Sequence, residues 1–75
     1  MFNYLDGQPM NVGDHVLVDG KTKAVVEAIV VPGTPLGEAL GYRDSPRFLL
    51  RYENDLLVEE DSTDYDLVLL SRADQ

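Results

Sequence analysis

The sequence has no cysteine, no tryptophan, a single histidine and only six basic residues among 75. Without cysteine there is neither a disulfide nor a thiolate metal site, which fits a reducing compartment. With His15 as the lone histidine, no Cys-His pair can be built. Ser45, Ser62 and Ser71 lie outside any GxSxG elbow, and there is no P-loop and no GxGxxG. Paired carboxylates are plentiful, but glycosidase chemistry also needs a sugar-binding cleft, for which so short a chain leaves little room. No catalytic residue and no cofactor is expected, and the chain reads as non-enzymatic. No stretch approaches the roughly 18 apolar residues of a membrane span. The opening MFNYLDGQPMNVGDHVLVDG has neither a basic start nor an apolar run of signal-peptide length. A soluble, cytoplasmic protein is the expectation.

What is abundant is acid. Fourteen Asp and Glu against six Lys and Arg give a formal charge of −8, which repels nucleic-acid phosphates and anionic membrane surfaces alike. Neither is expected as a partner. Such a balance also occurs in disordered chains, but 44% hydrophobic residues, with four Tyr and two Phe, argue that this one folds. Seventy-five residues make one domain. A domain of that size buries only ~60% of the surface its unfolded chain exposes, so its margin is thin.

The residues fall into short β-type bursts divided by turn signals. FNYL (2–5) ends at Asp6-Gly7. HVLV (15–18) runs into Asp19-Gly20, a pair suited to the positive φ angles of a two-residue hairpin turn. KAVVEAIVV (23–31) is long and β-branched, and PGTP (32–35) stops it. RFLLRY (47–52) alternates, with Phe48, Leu50 and Tyr52 on one face and Arg47, Leu49 and Arg51 on the other. LLVE (56–59) and YDLVLLS (65–71) follow. The spacing predicts five strands of a small antiparallel barrel, whose closure removes exposed strand edges. The one helical candidate is TPLGEALG (34–41), with Thr34 as cap, Pro35 at the first position and Gly41 at the stop; Gly37 inside it limits the expectation to a single turn. Val16, Val18, Ile29, Phe48, Leu50, Val58, Leu67 and Leu69 are the expected core. Both faces of VVEAIVV are apolar, which implies either a bend or a face that meets a second copy.

VGDHVLVDG (12–20) followed by VVEAIV (25–30) resembles the opening hairpin of small bacterial SH3-like barrels of the KOW and Tudor type. The resemblance covers about a quarter of the chain and implies a five-stranded SH3-like barrel. KOW motifs that bind RNA usually carry a glycine just before the second strand, with basic residues around it. Ala24 stands there and the net charge is negative, so the RNA role is not carried over. YLDG (4–7), VGDHV (12–16) and an acidic stretch ending in LVLLSRA (67–73) are similar to small uncharacterised proteobacterial barrels, and some acidic proteins of this size act as immunity proteins beside secreted toxins.

Residues 53–66, ENDLLVEEDSTDYD, hold seven of the fourteen acids and no base, while Lys21, Lys23, Arg43, Arg47 and Arg51 are five of the six basic residues. Asp61, Asp64 and Asp66 are oxygen ligands of the kind calcium takes. Their spacing departs from the calcium-loop pattern and its glycine is missing, so no metal site is expected. Tyr42 and Tyr65 lie in or beside loops, where a partner could be contacted. A charge run commonly gives solubility alone; clustering favours a binding face, because dispersed charges would serve solubility as well. The expected function is inhibition of a basic protein partner, such as a toxin, through Glu59, Glu60, Asp61, Asp64, Tyr65 and Asp66. The alternative is a structural or adaptor module that forms a homodimer through residues 24–31 or docks on a larger complex.

Overall fold

A computed structural model describes residues 2–41, 45–63 and 67–73. It has five strands, β1 (His15–Val18), β2 (Thr22–Val30), β3 (Arg47–Tyr52), β4 (Leu57–Glu60) and β5 (Leu67–Ser71), and one helix, α1 (Pro35–Leu40). All pairings are antiparallel. The strands form a single sheet in the order β4-β3-β2-β1-β5, so consecutive strands pair as far as β4 and β5 returns to lie beside β1. The all-β expectation of five antiparallel strands and one short helix is met; the sheet has two ends, β4 and β5. FNYL is not one of the five strands: Asn3 makes an isolated bridge to Pro9.

Local chemistry explains most of the connections. Asp19 (φ 55°) and Gly20 (φ 69°) both take the left-handed conformation, and Lys21 N–H donates to the Val18 carbonyl at 3.0 Å. Because Val18 pairs with Thr22, the loop holds three residues rather than the expected two. In α1, Thr34 Oγ1 accepts from Gly37 N–H at 3.2 Å and donates to the Val31 carbonyl at 2.6 Å. Gly41 closes the helix at φ 80°. Gly37 is a requirement here, since a Cβ would sit 2.3 Å from the Val31 oxygen. The helix lies against the backbone that ends β2.

β2 bends at a bulge. Val26 opposes Leu50 and Ala28 opposes Leu49, which leaves Glu27 as an extra residue on β2. Such a bulge shifts the alternation of faces. Ala24 and Val26 join the core before it; after it, Ile29 opposes Phe48 and packs against the core. Val30, opposite Arg47, is buried outside that cluster.

Val16, Val18, Phe48, Leu50 and Leu67 are buried as expected. Ile29 and Leu69 are partly buried against them, and Val58 is half-buried. The expected core omits Phe2, Tyr4 and Met10, which the amino-terminal arm buries against the sheet. That arm is a small hairpin, held by Tyr4 N–H to the Gln8 carbonyl (2.8 Å) and Met10 N–H to the Phe2 carbonyl (2.9 Å). The Phe2 ring meets Phe48 edge-on at 4.9 Å, a contact worth about 0.5–1.5 kcal/mol beyond its buried area.

The arm is tied down by a buried acid. Asp14 is fully buried. Its Oδ2 accepts from the Tyr4 hydroxyl (2.7 Å), the Asn11 N–H (2.9 Å) and the Arg72 guanidinium (2.9 Å). Arg72 also donates to the Pro9 carbonyl at 2.7 Å. One carboxylate thus joins the arm, the 11–14 turn and the residue after β5. The turn and the chain end fit tightly: a Cβ on Gly13 (φ 93°) would lie 2.6 Å from Ala73 Cβ.

Candidate functional site

The acidic stretch begins at the β3–β4 turn. Tyr52 N–H donates to the Leu56 carbonyl and Asp55 N–H to the Tyr52 carbonyl, both at 2.9 Å. Asn54 Oδ1 accepts from Leu56 N–H at 3.1 Å, and Asp55 takes φ 64°. This places Glu53 and Asp55 at an exposed tip, from which β4 leads to Glu59, Glu60 and Asp61.

Glu59 and Glu60 do not share a face. Successive strand residues point to opposite sides of a sheet; Glu59 opposes Leu49, and Glu60 opposes Phe48 of the core. Glu59 is exposed and its Oε1 lies 3.2 Å from Arg47 Nε, so its charge is matched within the chain. Glu60 is half-buried, and Asp61, just past β4, is exposed. Asp64, Tyr65 and Asp66 lie outside the described residues, as does Tyr42. The structure therefore places three of the six expected contact residues: Glu59 and Glu60 on opposite sides of β4, and Asp61 directly after its end.

Ion pairs sort the remaining charges. Arg51 lies 2.8 Å from Glu27 and 4.0 Å from Asp55, and its hydrogen bonds hold the Glu27 carboxyl below the ordinary range. Arg72 is engaged by Asp14. The described arginines are thus each held by an acid of their own chain. Among the described residues Glu53, Glu60 and Asp61 take part in no salt bridge.

Tyr52 registers the resulting field. Its ring is half-buried against the core. Its hydroxyl pKa is raised, first by burial, then by the negative charges of Glu60 and Asp19. Acids from two connections therefore act on one aromatic side chain: Asp19 from the β1–β2 turn, Glu60 from the end of β4. Sequence reading treats Asp19 as a turn former and Tyr52 as core; the pairing of Ala24 with Tyr52 is the long-range fact that links them.

At the end of β3 an open groove of about 360 Å³ is lined by residues that include His15, Lys23, Arg51, Tyr52, Glu53 and Asp55. His15 is exposed at the start of β1. Among the described residues, no three His, Cys, Asp or Glu side chains group as a metal site requires, and no helix is long and apolar enough to cross a membrane. No family model, curated protein or solved structure matches this chain.

Proposed function

We propose that this chain is a non-enzymatic, cytoplasmic SH3-like barrel that binds a basic protein through its acidic side and blocks it, as an immunity protein does to a toxin. The barrel reading is supported by the strand order, which returns β5 to β1, and by the bulge at Glu27, because a bulge bends its strand and increases the local twist. The observation that carries the function is the acidic end of β4, whose Glu60 acts together with Asp19 on the half-buried Tyr52. Among the described residues Glu60 and Asp61 take part in no salt bridge, while Arg47, Arg51 and Arg72 are engaged by other acids. A nuclease holds phosphates in a cationic cleft, and a negative surface around an aromatic ring complements such a cleft. Complementary charge mainly speeds encounter; a partly buried aromatic such as Tyr52 gives the contact that slows release.

The bulge brings Ile29 onto the core face with Ala24 and Val26, which supports the bend as one source of the apolar pattern of β2. β2 is also an inner strand, with β1 and β3 on either side.

Affinity capture with the tagged, folded chain tests the proposal. The expected result is one stoichiometric partner of high isoelectric point whose activity falls on binding. A neutral or acidic partner, or a partner whose activity is untouched, overturns it.

A further inference from the structure

We infer that the basic partner attaches by adding an extended strand to the outer side of β4, an inference that rests on the proposed binding of a basic protein. β4 is an end strand of the sheet. Tyr52 N–H donates to the Leu56 carbonyl, which puts Tyr52 and Leu56 at a hydrogen-bonded position where the β3–β4 ladder meets its turn, with Leu56 N–H taken by Asn54. Such pairs alternate with non-bonded ones in antiparallel strands. With Arg51 opposite Leu57 and Leu50 opposite Val58, Val58 directs its backbone groups to β3 and Leu57 directs its N–H and C=O away from it. An end strand with outward backbone groups is a template for a further strand.

The side chains along β4 specify the occupant. Leu56 and Leu57 are 54% and 47% exposed. At the other end stand Glu60 and Asp61, which form no salt bridge among the described residues. An incoming antiparallel strand meets Glu60 first and Leu57 three residues later. Charge complementarity therefore selects a segment with Lys or Arg followed, three residues on, by Val, Ile or Leu. A second copy of this chain is a poor occupant, since it sets acidic strands side by side on two molecules of charge −8.

The test uses a short peptide containing Arg-Thr-Thr-Val, a version with Glu in place of Arg, and an Arg version N-methylated on alternate amides, each titrated into the ¹⁵N-labelled chain. The expected result is that saturating Arg peptide slows deuterium exchange of the Leu57 amide by roughly tenfold or more, while the other two peptides bind at least about tenfold more weakly. Leu57→Pro, which removes an outward donor that β3 does not use, should weaken the Arg peptide by a similar factor. The N-methylated peptide keeps the test independent of whether that variant folds. If the N-methylated peptide binds as well as its parent and Leu57 exchange is unchanged, strand addition is overturned while a basic partner stands. Failure of the Arg peptide to bind at roughly 1 mM also overturns strand addition, with capture of a basic protein left as the separate test. Equal binding of the Glu peptide overturns both.

Discussion

Replacing Asp14 by alanine should nearly unfold the domain. The carboxylate is fully buried and its Oδ2 accepts from the Tyr4 hydroxyl, the Asn11 N–H and the Arg72 guanidinium. Deleting it takes an acceptor from three donors and the counter-charge from a guanidinium whose side chain is only 21% exposed and which keeps the Pro9 carbonyl. Breaking a buried pair by removing one partner costs ~3–5 kcal/mol. At ~0.05–0.15 kcal/mol per residue, a 75-residue domain has only about 4–11 kcal/mol in all. With a urea slope of ~1 kcal/mol per molar, the unfolding midpoint should fall by ~3 M or more, as followed by circular dichroism. Tyr4→Phe keeps the ring and removes one donor from the carboxylate, which should cost about 1–3 kcal/mol. Because Tyr4 and Arg72 meet on the same oxygen, the cycle of Tyr4→Phe with Arg72→Met should show a coupling of at least ~0.5 kcal/mol. A loss below ~1 kcal/mol for Asp14→Ala, or additive Tyr4 and Arg72 effects, would refute the claim that this carboxylate clasps the two ends of the chain.

The same clasp sets the alkaline limit. Burial, then the hydrogen bond to Asp14 and its charge, raise the Tyr4 pKa above its ordinary 10.0. The folded state therefore keeps a proton that the unfolded chain releases, so this contribution is intact below pH 10 and lost as pH climbs past it. Urea midpoints measured from pH 8 to 11 should fall above 10, and less steeply in Tyr4→Phe. Gly37→Ala brings a Cβ to 2.3 Å from the Val31 oxygen; despite alanine's better helix propensity, it should destabilise by about 1–3 kcal/mol, and a gain in thermal midpoint would show that α1 does not lie against the end of β2.

Much of the fold was legible because its signals are local. Asp19-Gly20 marked a turn, Thr34-Pro35 with Gly41 bounded a helix, and the alternation of RFLLRY separated Phe48 and Leu50 from Arg47 and Arg51. What escaped is long-range. Asp14 reads as one more acid before a strand, and only the return of Arg72 and the arm carrying Tyr4 makes its burial possible. The bulge at Glu27 has no marker in VVEAIVV beyond two apolar faces. The candidate site was legible in part. Its acids are plain in the sequence, and a strand's two-residue period by itself separates Glu59 from Glu60. That Arg47 answers Glu59, and that Asp19 acts on Tyr52 from another hairpin, depends on how β2, β3 and β4 lie together.

The most direct test of an acidic binding face is the salt dependence of association with the captured partner. The protein with Glu53, Glu60 and Asp61 changed to lysine should be compared with one carrying the same changes at Asp6, Glu27 and Glu38, so that net charge is matched. Steered association reaches ~10⁸–10⁹ per molar per second at low salt, against ~10⁵–10⁶ without steering. The account predicts that the first variant associates at least about tenfold more slowly than the second at low salt, with a flatter dependence on ionic strength. Identical rate constants for the two at every salt concentration would contradict it.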